Sequence, residues 1–218
     1  MAAHDIRNPA GIISSFSEMM MKNEMCMEKQ YKDAFNHINV SSKLILNIIT
    51  DFLDYTKIES GNFDLKFETI DYNSFIKDVI ETNQIIADKK NIKIEFEICN
   101  NDIKLNIDKT KITQVINNLI NNAIKFSDYN NRIMVNVFLK DNYLFTEVID
   151  NGPGLREDDI ENIFNIFRKG SNKPIGEEIS YGIGLAIAKK IIEVHKGFIG
   201  VDSKSGSGSK FYFGLPLN

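Results

Sequence analysis

Cysteine is scarce in this chain of 218 residues: Cys26 and Cys99 stand alone, in no metal-binding or redox spacing. Two such residues exclude a disulfide scaffold and a thiolate cluster, and fit small buried side chains in a reducing compartment. An excess of basic residues is missing too, with 26 Lys and Arg against 30 Asp and Glu and a net charge of −4. That balance argues against a nucleic-acid-binding surface. No apolar run approaches the ~20 residues that span a bilayer, and no signal peptide opens the chain. As given, the chain is expected to be cytoplasmic, with no nucleic-acid partner and no membrane contact by this segment. Met1-Ala2-Ala3 leads into the following helical pattern with no turn or cap, so a longer parent chain is expected upstream, and any membrane anchor would lie there. What is present, 43% hydrophobic and 26% charged residues, suits one large or two small globular domains.

Helix breakers are almost absent from residues 1 to 59. Ile12, Phe16, Met19 and Met20 mark one apolar stripe, and the methionine run Met19 to Met21 reads as core. Asn23-Glu24 begins a polar turn. A second stripe runs Phe35, Ile38, Ser42, Ile45, Ile49, Phe52 and Thr56, close to a seven-residue repeat. Two such helices form a hairpin that cannot cover its own seam, so a homodimeric four-helix bundle is expected. Ser60-Gly61-Asn62 ends the pattern and marks the domain boundary, giving 1–59 and 60–218. Beyond it, period-two runs predict strands at 63–68, 92–98, 132–140, 143–149, 198–203 and 209–215. Helices are expected over 72–90, 109–126 and 182–195, with a short one after the glycine-rich turn at 152–154. Strands and helices mix without regular βαβ alternation, so the fold class is α+β, a sandwich of helices on a sheet.

Three patterns carry chemistry in the second domain. Asn118, Asn122 and Lys125 fall at i, i+4 and i+7 and share one helix face. Amide oxygens are hard ligands for Mg²⁺, and a lysine neutralises phosphate charge. Asn117 and Asn121 alongside leave open the plainer reading that asparagine is simply abundant. Asp150 ends an apolar strand and runs into Asn-Gly152-Pro-Gly154. A carboxylate at that corner can accept an exocyclic amino hydrogen of adenine, although Asp-Asn-Gly equally makes a tight turn. Gly182-Ile183-Gly184-Leu185 opens a helix whose first amides can hold phosphate oxygens. The polar stretch from Arg168 to Tyr181 reads as a mobile cover.

Of three histidines, His37 and His195 read as structural or solvated, and His195 could place a cation at a helix C-terminus. His4 differs in its company. Asp5 adjoins it, Asn8 lies one turn on, and Pro9 frees the Asp5 carbonyl and kinks the helix. A neutral imidazole can act as a nucleophile when a neighbouring group orients it and takes its proton, and Asp5 can do both.

Taken together, these residues resemble the sequence boxes of sensor histidine kinases. The block His4-Asp5-x-Arg7-Asn8-Pro9 resembles their H box. Asn118-x-x-x-Asn122-x-x-Lys125, Asp150-x-Gly152-x-Gly154, Phe164-x-x-Phe167, Gly182-x-Gly184-Leu185 and Gly206-x-Gly208-Ser-x-Phe211 resemble the N, G1, F, G2 and last glycine boxes, in order. The resemblance runs from residue 4 to 216 and implies a dimerising histidine-phosphotransfer hairpin followed by a Bergerat-type (GHKL) ATP-binding sandwich. It implies His4 as phosphoryl acceptor, Asp5 as its assistant, and Asn8 as the residue that positions water for dephosphorylating a partner. Asn122 would be the Mg²⁺ ligand, with Asn118 and Lys125 near the phosphates of ATP and Asp150 on adenine. Gly152, Gly154, Gly182 and Gly184 would shape the pocket and lid hinges, with Phe126, Phe167, Ile183 and Leu185 completing the nucleotide site. A response regulator receiver domain is the implied partner. Two departures stand out: Ser180 replaces a frequent glycine, and Lys169 stands where an Arg that reaches the γ-phosphate is often seen, keeping charge but losing bidentate geometry. Topoisomerase- and chaperone-type ATPases carry a glutamate four residues before the Mg²⁺-binding Asn. Asn118 stands there, and an amide cannot be a general base, so hydrolysis is disfavoured. A catalytically dead dimeric scaffold would need damage to His4, Asn122 or Asp150, and none is damaged.

Overall fold

The computed structural model describes residues 2–22, 29–60, 64–99, 102–168, 170–172, 174–175 and 182–217. The chain divides into two compact units, Met1–Lys57 and Ile58–Asn218.

The first unit holds α1 (Ala2–Lys22) and most of α2 (Lys29–Glu59). Its apolar stripes are only partly covered. Phe16 is 60% exposed and Met19 54%, and Ile12, Met20, Ile38 and Phe52 are exposed as well. The expectation that the methionine run is core is therefore corrected for Met19 and Met20; the side chain of Met21 lies outside the described residues. One hairpin offers these side chains no second apolar surface. Among the described residues it buries Ala10 and, for the rest, polar side chains: Ser14, Ser17, Asn39 and Ser42. The Ser14 hydroxyl donates to Asn39 Oδ1 at 2.9 Å across the two helices.

The second unit is α+β. Its elements are β1 (Glu68–Asp71), α3 (Tyr72–Ala87), β2 (Lys93–Ile98), β3 (Lys104–Ile107) and α4 (Lys109–Phe126). There follow β4 (Arg132–Lys140), β5 (Tyr143–Asp150), the single turn α5 (Glu157–Ile160), α6 (Gly184–Val194), β6 (Phe198–Ser203) and β7 (Ser209–Pro216). Five strands form one sheet in the order β2-β4-β5-β7-β6, and β1 pairs with β3 apart from it. Only β2 and β4 run parallel; the other pairs of the large sheet are antiparallel, so the sheet is mixed. Alternate residues of β4 and β5 (Ile133, Val135, Val137, Leu144, Thr146, Val148, Asp150) are buried beneath α3, α4 and α6. The α4 stripes Val115/Leu119 and Ile116/Ile120 are fully buried against that face, which fixes how its polar face is presented.

The structure differs from the expectations in two places. The strand expected at 63–68 begins only at Glu68, and no strand was expected at its partner β3. The helix expected to 90 ends at Ala87, followed by a 3₁₀ turn over Asp88–Lys90 and Asn91 at φ 53°. That turn buries Lys90, whose ammonium donates to the carbonyls of Ile124 (2.9 Å) and Lys125 (3.3 Å) at the end of α4. A cation at a helix C-terminus meets the negative end of its dipole.

Candidate functional site

Helix α4 starts at Asp108, which accepts the Lys111 N–H at 3.0 Å and so caps the helix. The Asp108 N–H donates to His195 Nε2 (3.1 Å), and His195 Nδ1 lies 2.7 Å from the Ile191 carbonyl at the end of α6. His195 is buried, and burial holds its pKa below the ordinary value. It is therefore a neutral structural tie between α4 and α6, not the helix-end cation considered from sequence.

With α4 anchored, its polar face lines a cavity of about 420 Å³ together with the end of β5, the start of β7 and the approach to α6. Asn118 and Asn122 line it. Asn118 Nδ2 donates to the Gly184 carbonyl at 3.0 Å, which joins α4 to the first residue of α6. A Cβ on Gly184 would approach Asn118 Oδ1 to 3.0 Å, so a larger residue there would have to push the amide aside by a few tenths of an ångström. Phe126 lines the cavity as well. Lys125 does not, but its carbonyl accepts the Ile175 N–H at 3.0 Å. That bond ties the segment carrying Pro174, a lining residue, to the end of α4.

Asp150 sits at the end of β5 opposite Ser209 of β7 and is 5% exposed. Its Oδ1 accepts the Gly152 N–H at 2.8 Å. Burial pushes its pKa up to about 6, partly offset by hydrogen bonds from the backbone N–H groups of Gly152 and Ser209. A Cβ on Gly152 would lie 2.8 Å from both Asp150 Oδ1 and the Phe126 carbonyl, too close for any other residue. Gly154, Gly182, Gly184 and Leu185 line the cavity; Gly152 and Ile183 do not, Gly152 packing against Asp150 and Phe126 and Ile183 being buried. Phe167 turns outward, 59% exposed, and is not a lining residue. Lys169 and the side chains of His4, Asp5 and Asn8 lie outside the described residues.

Several lining residues were not among the expected site residues. Ser209, part of the last glycine box, lines the cavity opposite Asp150 in the β5–β7 register. Asn172 lines the cavity and its amide donates to the Gly154 carbonyl. Arg168 is the only basic residue among the described lining residues, and Asp150 the only acidic one. One signal for Arg168 was present, the cation pair Arg168-Lys169, of which only the second member had been considered. The cavity thus has a carboxylate where β5 ends, amides along α4, and Arg168, whose backbone lies against Gly182 ahead of α6. Among the described residues no group of three His, Cys, Asp or Glu could hold a metal ion. A divalent ion here would depend on oxygens brought by a ligand, with the Asn122 amide as a protein donor.

Two families match the chain. The His Kinase A (phospho-acceptor) domain covers residues 1–61, and the Histidine kinase-, DNA gyrase B-, and HSP90-like ATPase covers 107–218. The chain is similar to Sensor protein KdpD of Clostridium acetobutylicum, 32% identical over 98% of this chain and 24% of that protein. It is also 32% identical to Adaptive-response sensory kinase SasA of Crocosphaera subtropica, over 100% of this chain and 58% of that one. The chain therefore spans between about a quarter and three fifths of the length of these two relatives. Among solved structures, histidine kinase ThkA in complex with response regulator protein TrrA is 29% identical with a TM-score of 0.70, over 100% of this chain and 60% of that one. Full-length ShkA in complex with AMPPNP shares the fold at a TM-score of 0.83 and 21% identity, over 99% of this chain and 44% of that one.

Proposed function

The chain belongs to the sensor histidine kinases as a catalytic core, and on that premise we propose that it phosphorylates its own His4 from ATP and passes the group to an aspartate of a response regulator. The observation that carries this reading is the commitment of Asn118. The residue stands where a hydrolytic ATPase would need a carboxylate base, and its amide is hydrogen-bonded to the Gly184 carbonyl. Water in this cavity therefore has no base from that position, and a nucleophile must come from elsewhere.

In the proposed reaction, adenine lies against Asp150 and the phosphates lie toward Asn122 and the start of α6, whose amides favour anions. Asn122 would be the protein ligand of a Mg²⁺ carried by the nucleotide, which would neutralise charge on the phosphates. The His4 imidazole nitrogen attacks the γ-phosphorus. An N–P bond forms, the bond to the ADP oxygen breaks, and Asp5 takes the imidazole proton. The receiver aspartate then attacks the phosphorus and displaces the imidazole. Asn8 serves the reverse duty, holding water for dephosphorylation of the receiver. The hairpin of residues 1–59 works as a homodimer, which covers its exposed stripe.

The test is incubation with γ-labelled ATP and Mg²⁺. Acid-labile, alkali-stable label is expected on the wild-type chain and none on His4→Gln; label retained in that variant would sink the assignment. Asn122→Asp is expected to abolish labelling with the fold intact, and normal labelling there would refute the metal ligand.

A further inference from the structure

A helix leaves its last carbonyls without donors of its own, and α4 ends at Phe126, a residue of the cavity wall. Near that end the carbonyls of Ile124 and Lys125 both accept the Lys90 ammonium, at 2.9 Å and 3.3 Å. The Lys125 carbonyl also accepts the Ile175 N–H at 3.0 Å, so one oxygen joins a buried cation to the segment carrying Pro174. Lys90 is 6% exposed. The turn that carries it is pinned to the loop after α4: the Asn130 N–H donates to the Lys90 carbonyl at 3.0 Å, and Asn91 Nδ2 donates to Asn130 Oδ1 at 2.6 Å. A lysine is buried only where its charge finds hydrogen bonds, and here it meets the negative end of a helix dipole. Asn122 stands one turn before this end and Phe126 closes it; both line the cavity.

We propose that Lys90 is a positioning residue for the nucleotide site: its ammonium fixes the last turn of α4, and with it the Phe126 wall and the carbonyl that anchors Ile175. This rests on the nucleotide reading above. Lys90 is not a lining residue, so it acts through α4 alone. Removing the ammonium takes a charged donor from both carbonyls and leaves the turn free to fray. An unbranched apolar side chain of similar length would fill the space but leave the helix end unneutralised, which separates packing from positioning.

Amide hydrogen exchange at Ile175 and calorimetric titration with ATP and Mg²⁺, both on the whole chain, test the assignment. Lys90→Met is expected to speed exchange at Ile175 about tenfold. It is expected to weaken ATP about tenfold as well, as for loss of a group that orients a ligand's direct contacts. Lys90→Arg, which keeps a cation and its donors, is expected to hold both within about threefold of the wild type. If Lys90→Met fails to fold, Lys90→Gln, which keeps a donor without the charge, takes its place with the same losses expected. A folded variant with wild-type ATP affinity would make Lys90 a stability residue only and overturn the proposal. Wild-type exchange at Ile175 in that variant would overturn it too, as would a loss in Lys90→Arg equal to that in Lys90→Met. Wild-type chain that binds no ATP would overturn the nucleotide reading itself, while exchange at Ile175 would still judge the anchor.

Discussion

The two units use the same residue types to opposite ends. In the second, Ile116, Leu119 and Ile120 of α4 are fully buried, and the chain alone supplies everything that covers them. In the first, the large side chains Phe16, Met19 and Ile12 lie exposed while Ser14, Asn39 and Ser42 are buried. A closed core stabilises its fold without help; an open stripe over a polar layer stores its burial for another surface. The difference teaches that the cavity sits on a self-sufficient scaffold, whereas the helix proposed to carry the acceptor leaves its apolar stripe exposed for another surface.

The strongest way to break this contrast is Ile116→Ala. Loss of a fully buried side chain should cost the second unit about 2–5 kcal/mol in denaturant unfolding. A cost below about 1 kcal/mol would show that the core is not closed. Next comes Asp150→Asn. The folded state raises the Asp150 pKa from its ordinary 3.8 to about 6, so ionising it costs folding stability as pH rises through that window. At pH 7 that cost is about 3 kcal/mol. The variant should therefore unfold at higher denaturant than the wild type at pH 7 and converge with it near pH 4, while losing adenine nucleotide affinity. Wild-type affinity should fall as pH drops below about 6, because a protonated carboxyl no longer offers both oxygens as acceptors. A variant no more stable at pH 7 would remove the strain attributed to that corner.

Smaller effects sharpen the other side. Melting of the hairpin in the wild-type chain should depend on protein concentration, and Phe16→Ala should weaken that dependence by about 1.5 kcal/mol per helix. Concentration-independent melting would refute association through this stripe. Asn39→Ala removes the acceptor of the buried Ser14 hydroxyl and should cost about 1 kcal/mol. No change would mean that water replaces the amide there.

Periodicity made the long elements legible. The alternation of β4 and β5 and the double stripe of α4 each follow from residues that neighbour one another in sequence. Short β1 and β3 escaped because four residues carry too little alternation, and their pairing spans a whole helix and strand. The same limit governs the site. Asp150, Asn118 and Asn122 stand on regular elements whose faces sequence reveals, and they line one cavity. Phe167, expected in the nucleotide site, is 59% exposed; its left-handed backbone and its hydrogen bond to the Gly182 carbonyl are tertiary and leave no periodic signal. His195, read as structural or solvated, is structural, but its partner, the Asp108 N–H, lies 87 residues away and periodicity could not name it.

The central claim is that the phosphoryl group goes to His4 and not to water. Rapid-quench single turnover with ATP and Mg²⁺, counting ADP, phosphohistidine and free phosphate together, tests it most directly. The account predicts that phosphohistidine matches ADP in the wild-type chain, and that His4→Gln yields neither ADP nor free phosphate. Free phosphate released by His4→Gln at the wild-type rate of ADP formation would contradict it.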